Sequence, residues 1–69
     1  MKWISVEDKT MPMFKEMLIR VKCDLPERYE YWVASIDEAG NLWSDGENYG
    51  NVFIDDITHF AIIEPPKEN

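Results

Sequence analysis

The side chains with the most chemistry to offer in this sequence are its carboxylates, one imidazole and one thiol. Residues 29–66 hold Glu30, Asp37, Glu38, Asp45, Glu47, Asp55, Asp56 and Glu64, with no Lys or Arg among them. His59 is the sole histidine and Cys23 the sole cysteine. An imidazole can serve as general base or metal ligand, but His59 stands beside Phe60 in a strand-like run and reads as a packing residue hydrogen-bonded through Thr58. A Cys23–His59 dyad lacks a third, orienting group and any nucleophile signature. In a calcium-loop register begun at Asp45, Glu47 and Gly50 fit the third and sixth positions. Tyr49 then occupies the fifth, where an oxygen ligand belongs, and no helices flank the segment. The sequence has no Gly-rich phosphate loop, no His-Glu-x-x-His and no Gly-x-Ser-x-Gly. The expectation is a chain with no catalytic residue, no metal site and no cofactor.

Charge is the remaining signal. Fourteen Asp and Glu stand against seven Lys and Arg, for a net charge of −7. Direct nucleic-acid binding is disfavoured, because it requires a basic footprint to displace counterions from phosphates. A cation-rich protein surface is the natural counterpart. The asymmetry is internal: residues 1–28 carry six basic and five acidic groups, so the net charge belongs to the C-terminal half. An ordinary solvated surface intersperses the two signs. Asp45, Glu47, Asp55 and Asp56 lie near one loop and are expected to project a negative patch. Carboxylates two residues apart on a strand sit roughly 7 Å apart, comparable with phosphates along a backbone. Tyr49 and Phe53, beside these acids and the glycines, are the candidate exposed anchors; Trp3, Trp32, Trp43 and Phe60 read as core.

These side chains must be positioned by a single small domain, 1–69, with an ordered core over about 2–64 and a C-terminal tail at 65–69. Hydrophobic residues at 45% and aromatics at 13% are too abundant for a disordered acidic tail. Lone Cys23 excludes an internal disulfide and suits a reducing compartment. No apolar run exceeds four residues, and the first residues lack the apolar stretch of a signal peptide; no membrane association and a cytoplasmic setting are expected.

The pattern is mainly β. Trp3–Val6 is a short β-prone run, and the connection containing Pro12 has room for at most one short helical turn. Met17, Ile19, Val21 and Cys23 alternate with polar neighbours, the period of a half-buried strand broken only at Leu18. Pro26 stops that strand. Tyr29–Ile36 should pair back as a hairpin, presenting Tyr29, Tyr31 and Val33 on one face and Trp32, Ala34 and Ile36 on the other. Gly40 supplies the positive φ of the next turn, Leu42-Trp43 begin a third strand, and Ser44–Asn51 reads as loop. Val52–Ile54 and Ile57–Ile63 read as extended, with Pro65-Pro66 ending the run. The expected fold is an antiparallel meander of four to five strands.

Three segments carry a family resemblance. Trp3-Ile4-Ser5-Val6 followed by Pro12, the Met17–Lys22 strand, and Ile57-Thr58-His59-Phe60 leading to Glu64-Pro65-Pro66 resemble the domain of unknown function 551 family. Its members open with Trp-Ile-Ser-Val and Leu-Pro and close with Val-Thr-His-Trp and Glu-Pro-Pro. The resemblance spans Trp3 to Pro66 and includes Trp43. Met11 replaces the usual Leu and Phe60 the usual Trp, and the closing segment lacks two prolines before Glu-Pro-Pro, so the chain looks like a divergent member. The resemblance implies a phage or prophage context, hence a bacterial host cytoplasm, and no reaction.

The functional expectation is a non-enzymatic protein that engages a basic, nucleic-acid-binding surface of a host protein through Asp45, Glu47, Tyr49, Phe53, Asp55 and Asp56. Its most concrete form is an inhibitor of a nucleic-acid-handling defence system by phosphate mimicry, the strategy of anti-CRISPR and anti-restriction proteins. One alternative is an assembly module acting as a homodimer through a sheet edge. Another is a small enzyme or metal protein centred on His59.

Overall fold

The computed structural model describes residues 2–64 and 66; the expected tail at 65–69 therefore lies, Pro66 apart, outside the described residues. Six strands form one antiparallel sheet in the order β1-β6-β2-β3-β4-β5. They are β1 (Ile4–Ser5), β2 (Met17–Lys22), β3 (Tyr29–Ile36), β4 (Leu42–Ser44), β5 (Glu47–Gly50) and β6 (Ile57–Ile62), with one 3-10 turn at Ile54–Asp56. The mainly β, antiparallel reading holds. The strand count rises to six, and only β2 to β5 follow a meander, since β6 crosses to the far side of β2 and β1 adds outside it.

The hairpin turns follow from local chemistry. Between β2 and β3, the Arg28 N–H donates to the Leu25 carbonyl at 3.3 Å, and Glu27 has φ of 61°. Pro26 thus fills the second position of a tight turn whose third position needs positive φ, the type II arrangement. Between β3 and β4, the Gly40 N–H donates to the Asp37 carbonyl at 3.0 Å and Gly40 takes φ of 83°. Between β4 and β5, Asp45 and Gly46 both have positive φ, 53° and 77°. Two such residues match a type I′ hairpin turn, whose twist suits paired strands.

That last turn corrects two expectations. Ser44–Asn51 is not a loop, because Asp45-Gly46 folds Glu47–Gly50 back onto β4. Val52–Ile54 is not extended; the chain turns there and enters the 3-10 turn, with Phe53 and Ile54 packed against the core.

A single sheet has two faces, and one is far better covered than the other, on which Ala61 is nevertheless buried. The core face carries Met17, Ile19 and Val21 of β2, Ala34 and Ile36 of β3, Leu42 of β4, and Ile57 and Phe60 of β6. Ile4, Val6, Met11, Trp32, Phe53 and Ile54 close over it. The other face, with Tyr29, Tyr31 and Val33 of β3, stays exposed. Leu18 is therefore no defect in the β2 alternation. It stands opposite Val33 and Ala61 on that open face.

Asp37 organises the β3–β4 turn. Its carboxylate accepts from the Ala39 and Asn41 N–H groups at 3.0 and 2.9 Å, and from the Trp43 indole N–H at 2.9 Å. The indole bond first, then the Asn41 amide, holds its pKa below the ordinary 3.8. A carboxyl depressed in the folded state stabilises the fold above its unfolded pKa, and that contribution fades as pH falls through the folded value. Asp37→Asn should lower the thermal midpoint at neutral pH. The gap from the parent should begin to narrow as the pH drops below 3.8 and close as it falls through the lower folded-state value, as followed by circular dichroism across a pH series.

Candidate binding surface

The sequence-predicted site residues fall into two groups. Glu47 and Tyr49 alternate onto the core side of β5, where Tyr49 packs edge-on against Trp32 with ring centroids 5.4 Å apart. Phe53 meets Trp32 at 5.2 Å and Tyr49 at 6.3 Å, closing an aromatic triangle. Exposed Asp55 and Asp56 follow in the 3-10 turn. Asp45 is set apart by the hairpin turn and lines a groove with Phe14, Val33 and Trp43.

Tyr49 and Phe53 are consequently not free anchors. Both are half-buried and serve as the mounting for the acidic segment. Their apolar area is spent on Trp32, which packs on the core as a half-buried ring. Of the other rings expected in the core, Phe60 is 1% exposed, whereas Trp3 and Trp43 are 40% and 37% exposed on the open face. Their size suggested burial, but the single-layer sheet leaves no second layer to cover them.

The aromatic triangle fixes carboxylates at its rim. The Tyr49 hydroxyl donates to Glu47 Oε2 at 3.0 Å, and the Trp32 indole N–H donates to Glu30 Oε2 at 3.3 Å. The bond to Glu47, aided by desolvation and the charges of Glu47 and Asp45, raises the Tyr49 pKa above 10.0. Glu30 went unnoticed as a site residue; its spacing two residues before Trp32 on a strand is the signal that places both on one face. Among the described residues, the side-chain donors to carboxylates are the indoles of Trp32 and Trp43, the Asn41 amide and the Tyr49 phenol, never Lys or Arg.

The histidine and the cysteine are held apart. His59 stands opposite Arg20 on the open face, and its Nδ1 lies 3.0 Å from Thr58 Oγ1, the contact the sequence suggested. Arg20 Nε donates to the same Thr58 oxygen at 2.9 Å, and its guanidinium stacks 3.9 Å from the Tyr29 ring centroid. Cys23 follows Val21 by two residues on the core-facing alternation, three residues along from Arg20. That spacing is roughly 10 Å of strand. Desolvation, then the charges of Glu30 and Asp24, push its thiol above 9.0, away from thiolate reactivity. Among the described residues no group of three or more His, Cys, Asp or Glu is arranged to hold a metal ion, and no helix is long and apolar enough to cross a membrane. The chain matches no protein-family model, no curated protein and no solved structure.

Proposed function

We propose that this chain is a non-enzymatic binding protein of phage type that docks its acidic edge on a basic, nucleic-acid-binding surface of a host protein. In its most concrete form it inhibits a defence complex by occupying Lys and Arg that otherwise hold phosphates. The observation that carries the reading is the exposed acidic segment: Glu47, Asp55 and Asp56 stand exposed on a packed aromatic mounting, and the side-chain hydrogen bonds to carboxylates among the described residues come from Trp32, Trp43, Asn41 and Tyr49. Rigid mounting lowers the entropy lost on binding. Glu30 extends the same rim. The Trp3–Val6 and Ile57–Phe60 resemblance supports the phage setting.

The test is capture from bacterial lysate at low and high salt, followed by nucleic-acid competition against each captured protein. Capture should weaken steeply with salt, because exposed charges are screened beyond about 8 Å at physiological ionic strength. Asp55→Lys/Asp56→Lys should abolish it, and the captured protein should lose its nucleic acid when the parent chain is added. A salt-resistant partner indifferent to the double reversal would remove the phosphate-mimic reading.

A further inference from the structure

We infer that the open face of the sheet is a self-association surface, and that its occupant is a second copy of this chain. The proposal is independent of the acidic edge, whose Asp55 and Asp56 lie outside this face.

The apolar content of the face asks for a cover. Tyr31 is 58% exposed, Val33 46%, Tyr29 41% and Trp3 40%, with Trp43 and Phe14 flanking them. Trp3 reaches across the sheet to Tyr31, ring centroids 5.9 Å apart, so the strip is continuous from β1 to β3. Phe14 is held out in the left-handed region at φ of 59° by its N–H bond to the Ile36 carbonyl at 2.8 Å. That conformation is uncommon for a bulky side chain. At about 150–250 Å² per large aromatic ring, the exposed fractions of Tyr31, Tyr29, Trp3, Trp43 and Phe14 amount to roughly 350–600 Å². That matches the largest patch on an ordinary monomer, about 300–600 Å², which is often a functional surface. With a charged rim it approaches the ~800 Å² that each partner of a specific interface contributes.

Charge selects the occupant. Arg20 and Lys22 sit at one end of the strip, beside Tyr31 and Tyr29. Glu16, Asp37 and Asp45 line the groove at its other end, with Phe14 and Trp43. Leu18 and Val33 stand between the two ends. A nucleic acid or an acidic protein would meet repulsion at the carboxylate end, and a basic protein at the Arg20 end. A second copy satisfies both. A two-fold axis parallel to the sheet and midway between the two copies, running across the strands at Leu18–Val33, exchanges the ends and sets Arg20 of each copy against Glu16 of the other, and Lys22 towards Asp37. Self-complementarity of this kind is what an isologous interface requires. Arg20 is already held for the task, since Thr58 and the Tyr29 ring fix its guanidinium in the face.

Analytical ultracentrifugation over a concentration series tests this, with circular dichroism melts confirming that each variant is folded. The parent should sediment at twice the chain mass. Arg20→Glu alone and Glu16→Lys alone should each weaken association by about tenfold or more, through like charges facing across the interface. The double variant Arg20→Glu/Glu16→Lys restores opposite signs at the facing pair and should return to the parent's association. A chain that stays monomeric throughout the series overturns the proposal. So does a dimer that neither single substitution weakens, and so does a double variant that fails to recover. Binding of a single-stranded oligonucleotide by the monomer, lost with Tyr31→Ala, would assign the face to stacked bases and overturn it as well.

Discussion

Phe60→Ala should cost about 3–5 kcal/mol, the range for deleting a buried ring that its surroundings cannot refill. Phe60 is 1% exposed and stands opposite Ile4 of β1 and Ile19 of β2, so it joins the three strands on the core side. At ~0.05–0.15 kcal/mol per residue, a chain of this length holds roughly 3–10 kcal/mol in total. The single change therefore removes a third of the stability or all of it. At about 4–8 °C per kcal/mol for so small a domain, the thermal midpoint should fall by about 12–40 °C. Ile62→Ala is the matched control, since Ile62 lies two residues on in the same strand but is 40% exposed. Urea titrations of the two variants check the contrast, and a loss below ~1 kcal/mol for Phe60→Ala would mean that the core lies elsewhere.

The second large effect is on Trp32. Its ring contacts Tyr49 and Phe53 and its N–H reaches Glu30, so one side chain anchors β5 and the segment leading to the 3-10 turn. Half-buried rather than enclosed, it should contribute less than Phe60, about 2–3 kcal/mol on truncation to Ala. The functional consequence is the larger one. With the mounting gone, Glu47, Asp55 and Asp56 remain in the chain but lose their fixed arrangement, and capture of a basic partner should fall as it does on charge reversal. Trp32→Phe keeps a ring and should keep most of both properties. Amide hydrogen exchange in β5 separates the causes: Trp32→Ala should accelerate it and Asp55→Lys/Asp56→Lys should not. Trp32→Ala with unchanged stability and unchanged β5 exchange would show that the triangle supports nothing.

Much of the sheet is legible in the residues because local chemistry and tertiary environment agree there. Tyr29–Ile36 is rich in β-branched and aromatic residues, and it forms a strand over those bounds. Met17–Lys22 alternates and buries every second residue. Glu47–Gly50 was illegible by composition, since Glu, Asn and Gly are poor strand formers; the signal was the Asp45-Gly46 pair, which dictates a hairpin whatever follows it. The acidic segment could be read from charge alone, whereas the fate of the rings could not. Tyr49, Phe53, Trp3 and Trp43 are alike in type, and which are covered depends on the sheet having one protected side. That is decided by how the 6–16 and 51–56 segments drape over it, a non-local outcome invisible in alternation.

The placement of β6 between β1 and β2 bears on how the chain reaches this state. The β2–β5 meander can zip from neighbouring hairpins, but Ile4 meets Phe60 only after most of the polypeptide has been drawn into a ring. Closing such a long contour carries an entropy cost that later contacts must offset, and topologies governed by distant pairings cross slower barriers than local ones. The kinetic bottleneck therefore falls at the arrival of the last strand, and the first strand, with no other neighbour in the sheet, docks only after it.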